Sequence, residues 1–201
     1  MKYLIKSFSY IFHPLFMPIS GVVLYFIISP RFFDARFLYS KLFATTILTI
    51  IIPILSFYVL KNVKLVTEIN LKNVKERRFP LLLQIIFTFM ILKIVFDGYE
   101  IPVLYYFFLG ILGSSVAAFF LVLFKFKSSL HMIGVAGLVT FIFGLSIHFG
   151  QNLLVLLSVL IIGIGGTASS RIQAKAHSLP ELIIGFVIGM MPQLYTFEYW
   201  L

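Results

Sequence analysis

Seven long apolar runs follow one another along this chain of 201 residues, near 11–29, 41–60, 80–96, 102–124, 131–149, 152–169 and 181–199. A helix needs roughly 20 mostly apolar residues to cross the hydrocarbon of a bilayer, and inside lipid each backbone N–H and C=O must be satisfied within the element itself. The pattern therefore predicts an all-α fold, a polytopic transmembrane helix bundle forming a single integral membrane domain over 1–201. Two runs fit less well. Pro14 and Pro18 interrupt the first, and Lys93 lies inside the third. Either reads as a shallow or re-entrant piece, so six spans is the alternative to seven. Composition supports the class: 61% of residues are hydrophobic and 11% charged, whereas a soluble chain carries about twice that charged share. Without cysteine there is no disulfide framework and no thiolate chemistry. Lys2 and Lys6 ahead of an apolar stretch have the look of a signal peptide. No small-residue cleavage site follows, and the stretch continues to Ile28, which predicts a retained first span.

One polar segment is long. It runs over 61–79, and its apolar positions Val63, Val66, Ile69 and Val74 predict a basic, amphipathic helix at the interface, or else a basic loop against anionic headgroups. With seven spans, the N-terminus and the segments after spans two, four and six share one face. That face holds Lys2, Lys6, Lys61, Lys64, Lys72, Lys75, Arg77, Arg78, Lys125, Lys127, Arg171 and Lys175, which is 12 of the 16 basic residues. The positive-inside rule would place this face in the cytoplasm of a cell (inner) membrane, but a phosphate site would gather cations on whichever side it opened. The sidedness of the site is therefore left open by the sequence.

On that basic face the last connection carries Ser170-Arg171, five residues, His177, three residues, Glu181. Each residue type suits phosphate chemistry. Arg171 presents a planar fork of donors that matches phosphate oxygens. His177 can be a neutral nucleophile near pH 7. Glu181 lies four residues on, so on a helix it shares a face with His177 and can fix the imidazole tautomer. The same residues also read as a helix start, because Ser178-Leu179-Pro180-Glu181 is a capping box with proline in the first turn. The two readings are compatible, since a helix N-terminus offers free N–H groups to an anion. His13, His131, His148 and His177 show no metal-ligand spacing, and no cofactor or metal is expected.

Two more segments of the basic face carry related residues: Lys72, Arg77 and Arg78 ahead of Phe79-Pro80, and Lys127-Ser128-Ser129-Leu130-His131. In order and spacing the three segments resemble the type 2 phosphatidic acid phosphatase superfamily, whose pattern is Lys, six residues, Arg-Pro; then Pro-Ser-Gly-His; then Ser-Arg, five residues, His, three residues, Asp. The third part matches at every position except that Glu181 stands for Asp. In the second, Ser128 and Leu130 replace Pro and Gly. In the first, Arg78 comes one place early. The resemblance covers roughly residues 72 to 181. It implies a membrane lipid phosphatase or diphosphatase without a cofactor, working through a phosphohistidine. His177 would be the nucleophile, His131 the acid and Glu181 the orienting carboxylate, with Arg171, Lys72, Arg78, Ser129 and Ser170 holding the phosphoryl oxygens. The expected partners are the bilayer and a membrane lipid phosphate, with no nucleic acid, and the oligomeric state is unspecified. Degeneration of the first two parts motivates the alternative, a non-enzymatic membrane protein that binds anionic lipid.

Overall fold

A computed structural model of the chain describes residues 2–67 and 73–201, with side chains from residue 5 onward. Every regular element among the described residues is helical. Two short helices come first, α1 (Lys2–Ile11) and α2 (Met17–Ile28). Six longer ones follow: α3 (Ala35–Asn62), α4 (Val74–Val95), α5 (Pro102–Leu123), α6 (Leu130–Phe149), α7 (Leu154–Gln173) and α8 (Leu179–Trp200). These six are long and apolar enough to cross a membrane, so the chain is a multi-pass membrane protein.

The first expected span is not one helix. Pro14 has no N–H to continue α1, and the Phe16 N–H turns back to the His13 carbonyl at 2.9 Å. The 12 residues of α2 rise about 18 Å, short of the roughly 30 Å hydrocarbon core. Together, however, the two pieces run from one end of the bundle to the other. Ser9 meets Ser170 at the C-terminal end of α7, Oγ to Oγ, at 2.7 Å. The Ile28 carbonyl accepts from Gln151 Nε2 at 3.0 Å, in the hairpin between α6 and α7. The chain thus arrives at α3 on the far side, and the basic segments stay on one face.

The segment 61–79 is also not an amphipathic helix where it is described. Lys61 and Asn62 finish α3, and the chain leaves it through Lys64 in the left-handed conformation (φ 62°). The Leu65 N–H closes this turn on the Leu60 carbonyl at 3.0 Å. Glu76 then holds Thr67 through both its N–H and its hydroxyl, each at 2.9 Å. Asn73 caps the start of α4, its side chain accepting from the Lys75 N–H at 3.0 Å. Local turn and cap chemistry wins here over the apolar spacing of Val63, Val66 and Val74; Glu68–Lys72 lie outside the described residues.

Small residues set the packing that positions the site. A Cβ on Gly189 would lie 2.2 Å from the Ile133 carbonyl oxygen, and one on Gly185 2.8 Å from the Ser129 carbonyl oxygen. The first half of α8 therefore lies with its backbone against the start of α6, as in close helix pairs inside membranes. The Ser129 N–H donates to the Glu181 carbonyl across that contact at 3.1 Å. In the same way the rings of Phe8 and Phe12 occupy the space that side chains at Gly166 and Gly163 would need, seating α1 on α7. At mid-depth Phe107 and Phe141 stack with centroids 4.1 Å apart, tying α5 to α6.

Candidate active site

Three helix starts and one helix end meet on the basic face, and backbone polar groups link them. Ser129 caps α6, its hydroxyl accepting from the Met132 N–H at 3.5 Å. Arg77, in the first turn of α4 and 5% exposed, donates from Nη1 to the Ser128 carbonyl at 2.9 Å. Lys127 Nζ donates to the Ala176 carbonyl, at the end of α7, at 3.1 Å. The segments after α3, α5 and α7 are thereby held in one patch, although 51 residues separate Arg77 from Ser128.

Glu181 has two partners. As the third residue of the α8 capping box, its Oε2 accepts from the Ser178 N–H at 3.0 Å. The same oxygen accepts from Nδ1 of His177 at 2.9 Å. The cap and the imidazole contact are therefore one arrangement. With its Nδ1 proton on the carboxylate, a neutral His177 carries its lone pair on Nε2. His177 is 8% exposed. Burial is the main reason its pKa is lowered, to about 4. The Glu181 hydrogen bond and charge pull it up, while the charges of Arg77 and Lys127 push it down. His177 is thus neutral at physiological pH.

Beside this pair lies a cavity of about 1060 Å³. Its basic end is lined by Lys6, Arg77, Lys127, Arg171 and Lys175, together with His13, His131, His177 and Ser170. Deeper, the lining changes to Leu81, Phe87, Phe107, Ile111 and Leu138, with Gln84 and Gln193 among them. Gln193 stands 12 residues beyond Glu181 on α8, so the cavity reaches about 18 Å down the helix. Arg171 has a buried Nε with no hydrogen-bond partner. His131 gives its Nε2 proton to the Ser9 carbonyl at 3.2 Å, because a carbonyl only accepts. Its ring stands edge-on to His13 with centroids 5.2 Å apart, and it lies within electrostatic reach of Arg171 and His177.

Of the residues singled out in the sequence, His177, Glu181, His131, Arg171 and Ser170 gather here. Glu181 stands behind His177 rather than in the cavity wall, and Ser129 is fully buried as the α6 cap with no place in the lining. Arg78 does not line the cavity, and its Nε is buried without a partner; its neighbour Arg77 is the residue that does. Lys72 lies outside the described residues. Arg77 and Lys127 were visible in the sequence as members of the basic segments but were given no place among the phosphate-binding residues, and neither Ser9 nor the contact of His13 with His131 could be read from spacing. Arg77 and Arg78 are separated by one helical step of about 100°, which spacing alone does not resolve. Among the described residues no group of three or more His, Cys, Asp or Glu could hold a metal ion.

No family model, no curated protein and no solved structure matches the chain. A neutral imidazole, oriented by a carboxylate and facing guanidinium and ammonium groups, suits nucleophilic attack on an anionic centre.

Proposed function

We propose that the protein is a metal-independent membrane lipid phosphatase or diphosphatase, acting on a phosphate monoester or diphosphate borne by a lipid. The observation that carries this reading is the 2.9 Å contact of His177 with Glu181, beside a cavity that is cationic at the membrane surface and apolar below. A phosphate headgroup fits the first part and a hydrocarbon chain the second. The resemblance of the Ser170–Glu181 segment to the type 2 phosphatidic acid phosphatases supports the same chemistry.

In the proposed reaction the His177 Nε2 lone pair attacks phosphorus and forms a P–N bond. The P–O bond to the lipid breaks, and the leaving oxygen takes a proton to give a lipid alcohol, or a lipid monophosphate from a diphosphate. Water then attacks phosphorus, the P–N bond breaks, and inorganic phosphate leaves. Glu181 holds the Nδ1 proton and stabilises the charge that develops on the ring. Arg77 and Arg171 offset the charge on the phosphoryl oxygens. His131 is the proton donor in this scheme. Its Nε2 proton is held by the Ser9 carbonyl, so the ring can give a proton from Nδ1 only after Nδ1 has first taken one up from water, as the imidazolium, and it returns to the neutral ring as the leaving oxygen is protonated.

The test is phosphate release from phosphatidic acid in detergent micelles with chelator present. The wild-type protein turns over under these conditions, and His177→Ala loses about 10³-fold or more, the scale seen when a nucleophile is removed. Binding of anionic lipid with no phosphate release would favour the non-enzymatic alternative.

A further inference from the structure

Three imidazoles meet at the basic end of the cavity, and only two belong to the segments discussed so far. The third, His13, sits in the turn that breaks α1 from α2. Three features put it there. Pro14 stops the helix directly after it. Phe8 and Phe12 dock α1 on Gly166 and Gly163 of α7. The ring then packs edge-on against His131 at 5.2 Å and against Phe16 at 6.1 Å.

Hydrogen bonding distinguishes His13 from the other two. His177 has its Nδ1 proton on Glu181, and His131 has its Nε2 proton on Ser9. The Nδ1 of His13 accepts from the Leu15 N–H at 3.3 Å, which puts the proton of the neutral ring on Nε2. No acceptor for that Nε2–H occurs among the described residues, while His13 lines the cavity beside Arg171. Of the three rings, His13 is the one whose N–H is available to a ligand. Burial, and then the charge of Arg171, lower its pKa below the ordinary imidazole value, so it enters as a neutral donor.

We infer that His13 is a third site imidazole, which binds the phosphoryl group of the substrate by donating its Nε2–H to one of the phosphate oxygens. This rests on the phosphate-site reading above and adds to it a residue from outside the three motif segments. The donor comes from the broken entry helix, so the site is complete only when α1 is docked on α7.

The experiment compares three variants. His13→Phe keeps a ring against His131 and removes the donor. His13→Gln keeps an N–H at similar reach, and His13→Leu is close to it in size but has none. Two readouts are taken on the full chain in detergent: kcat/KM for phosphatidic acid with chelator, and the affinity for inorganic phosphate by calorimetry. The expected result is a loss of about 10- to 100-fold in kcat/KM for His13→Phe, the scale of a hydrogen bond to a charged acceptor, with recovery to within about 5-fold in His13→Gln. Phosphate affinity falls in parallel, and thermal melting stays near wild type. Should His13→Phe not fold, the same contrast is read from Gln against Leu. Activity and phosphate affinity unchanged in the donorless variants overturns the assignment, and so does an equal loss in Gln and Leu, which would make the ring a packing element only. A wild-type protein that binds phosphate through His13 yet releases none from lipid overturns the phosphatase reading and keeps the inference; one that neither binds nor hydrolyses overturns both.

Discussion

Replacing Glu181 with glutamine separates the two jobs that one carboxylate oxygen performs. The amide oxygen can still accept from the Ser178 N–H, since Glu and Gln serve alike in a capping box. Stability is therefore expected to stay within about 0.5 kcal/mol of wild type, as for changes that leave a cap intact. The contact with His177 changes in kind. A hydrogen bond to a charged partner contributes about 1.5–3 kcal/mol and a neutral one about 0.5–1.5 kcal/mol. His177 is nearly buried and meets the carboxylate at 2.9 Å, so little solvent screening intervenes. The difference, about 1–2 kcal/mol, corresponds to a loss of about 5- to 30-fold in kcat/KM. The pH profile carries a second signature. The lowered pKa of His177, about 4, keeps the ring neutral well below the ordinary imidazole range, so the wild-type plateau should extend to acid pH and fall only as the nucleophile protonates. Both effects of Glu181 on His177 raise that pKa. Removing the charge therefore moves the acid limb further down in pH while the plateau drops. The assay is kcat/KM for phosphatidic acid from about pH 2.5 to 8 with chelator, so that the range spans the acid limb around the His177 pKa of about 4, corrected for ionisation of the substrate phosphate, alongside thermal melting. A Glu181→Gln variant with wild-type plateau and unmoved acid limb would refute the orienting role and leave Glu181 as a cap alone.

Two further predictions concern the frame and the cations. Gly189→Ala drives a Cβ into the Ile133 carbonyl at 2.2 Å, whereas Gly165 has nothing within 4 Å; the first substitution should destabilise by about 2 kcal/mol or more through overpacking and the second should be neutral or slightly stabilising, as read from melting in detergent. Arg77→Ala should lower kcat/KM by about 10- to 100-fold, the scale of a charged hydrogen bond, while Arg78→Ala, outside the cavity, should stay within about 5-fold of wild type in the same assay.

How much of this was legible in the sequence follows from how local each feature is. Six long helices could be read because each apolar run satisfies its own backbone, whatever its neighbours do. The His177–Glu181 contact follows from a four-residue spacing at a capped helix start. The break at Pro14, and with it six spans in place of seven, was among the sequence readings; what holds the broken turn in place was not. Two short helices replace one span because the turn at His13 is held by packing of Phe8 and Phe12 on glycines more than 150 residues away. The choice of Arg77 over Arg78 depends on the rotation of α4 about its axis, fixed in part by a bond to Ser128. Lys127 reaches Ala176 and His131 reaches Ser9 by contacts of the same long-range kind. Over 61–79 the described residues follow the loop reading rather than the interfacial helix, because a left-handed Lys64 ends α3 and the cap at Asn73 starts α4.

In the proposed reaction His177 takes the phosphoryl group onto its own nitrogen. The direct measurement is rapid alkaline quench of the wild-type protein during turnover of lipid phosphate labelled in its phosphorus, followed by mapping of the bound label. Acid-labile, alkali-stable label is expected on the peptide that carries His177, and none in His177→Ala. Turnover with the label on another residue, or a product burst with no bound label at any quench time, would contradict it.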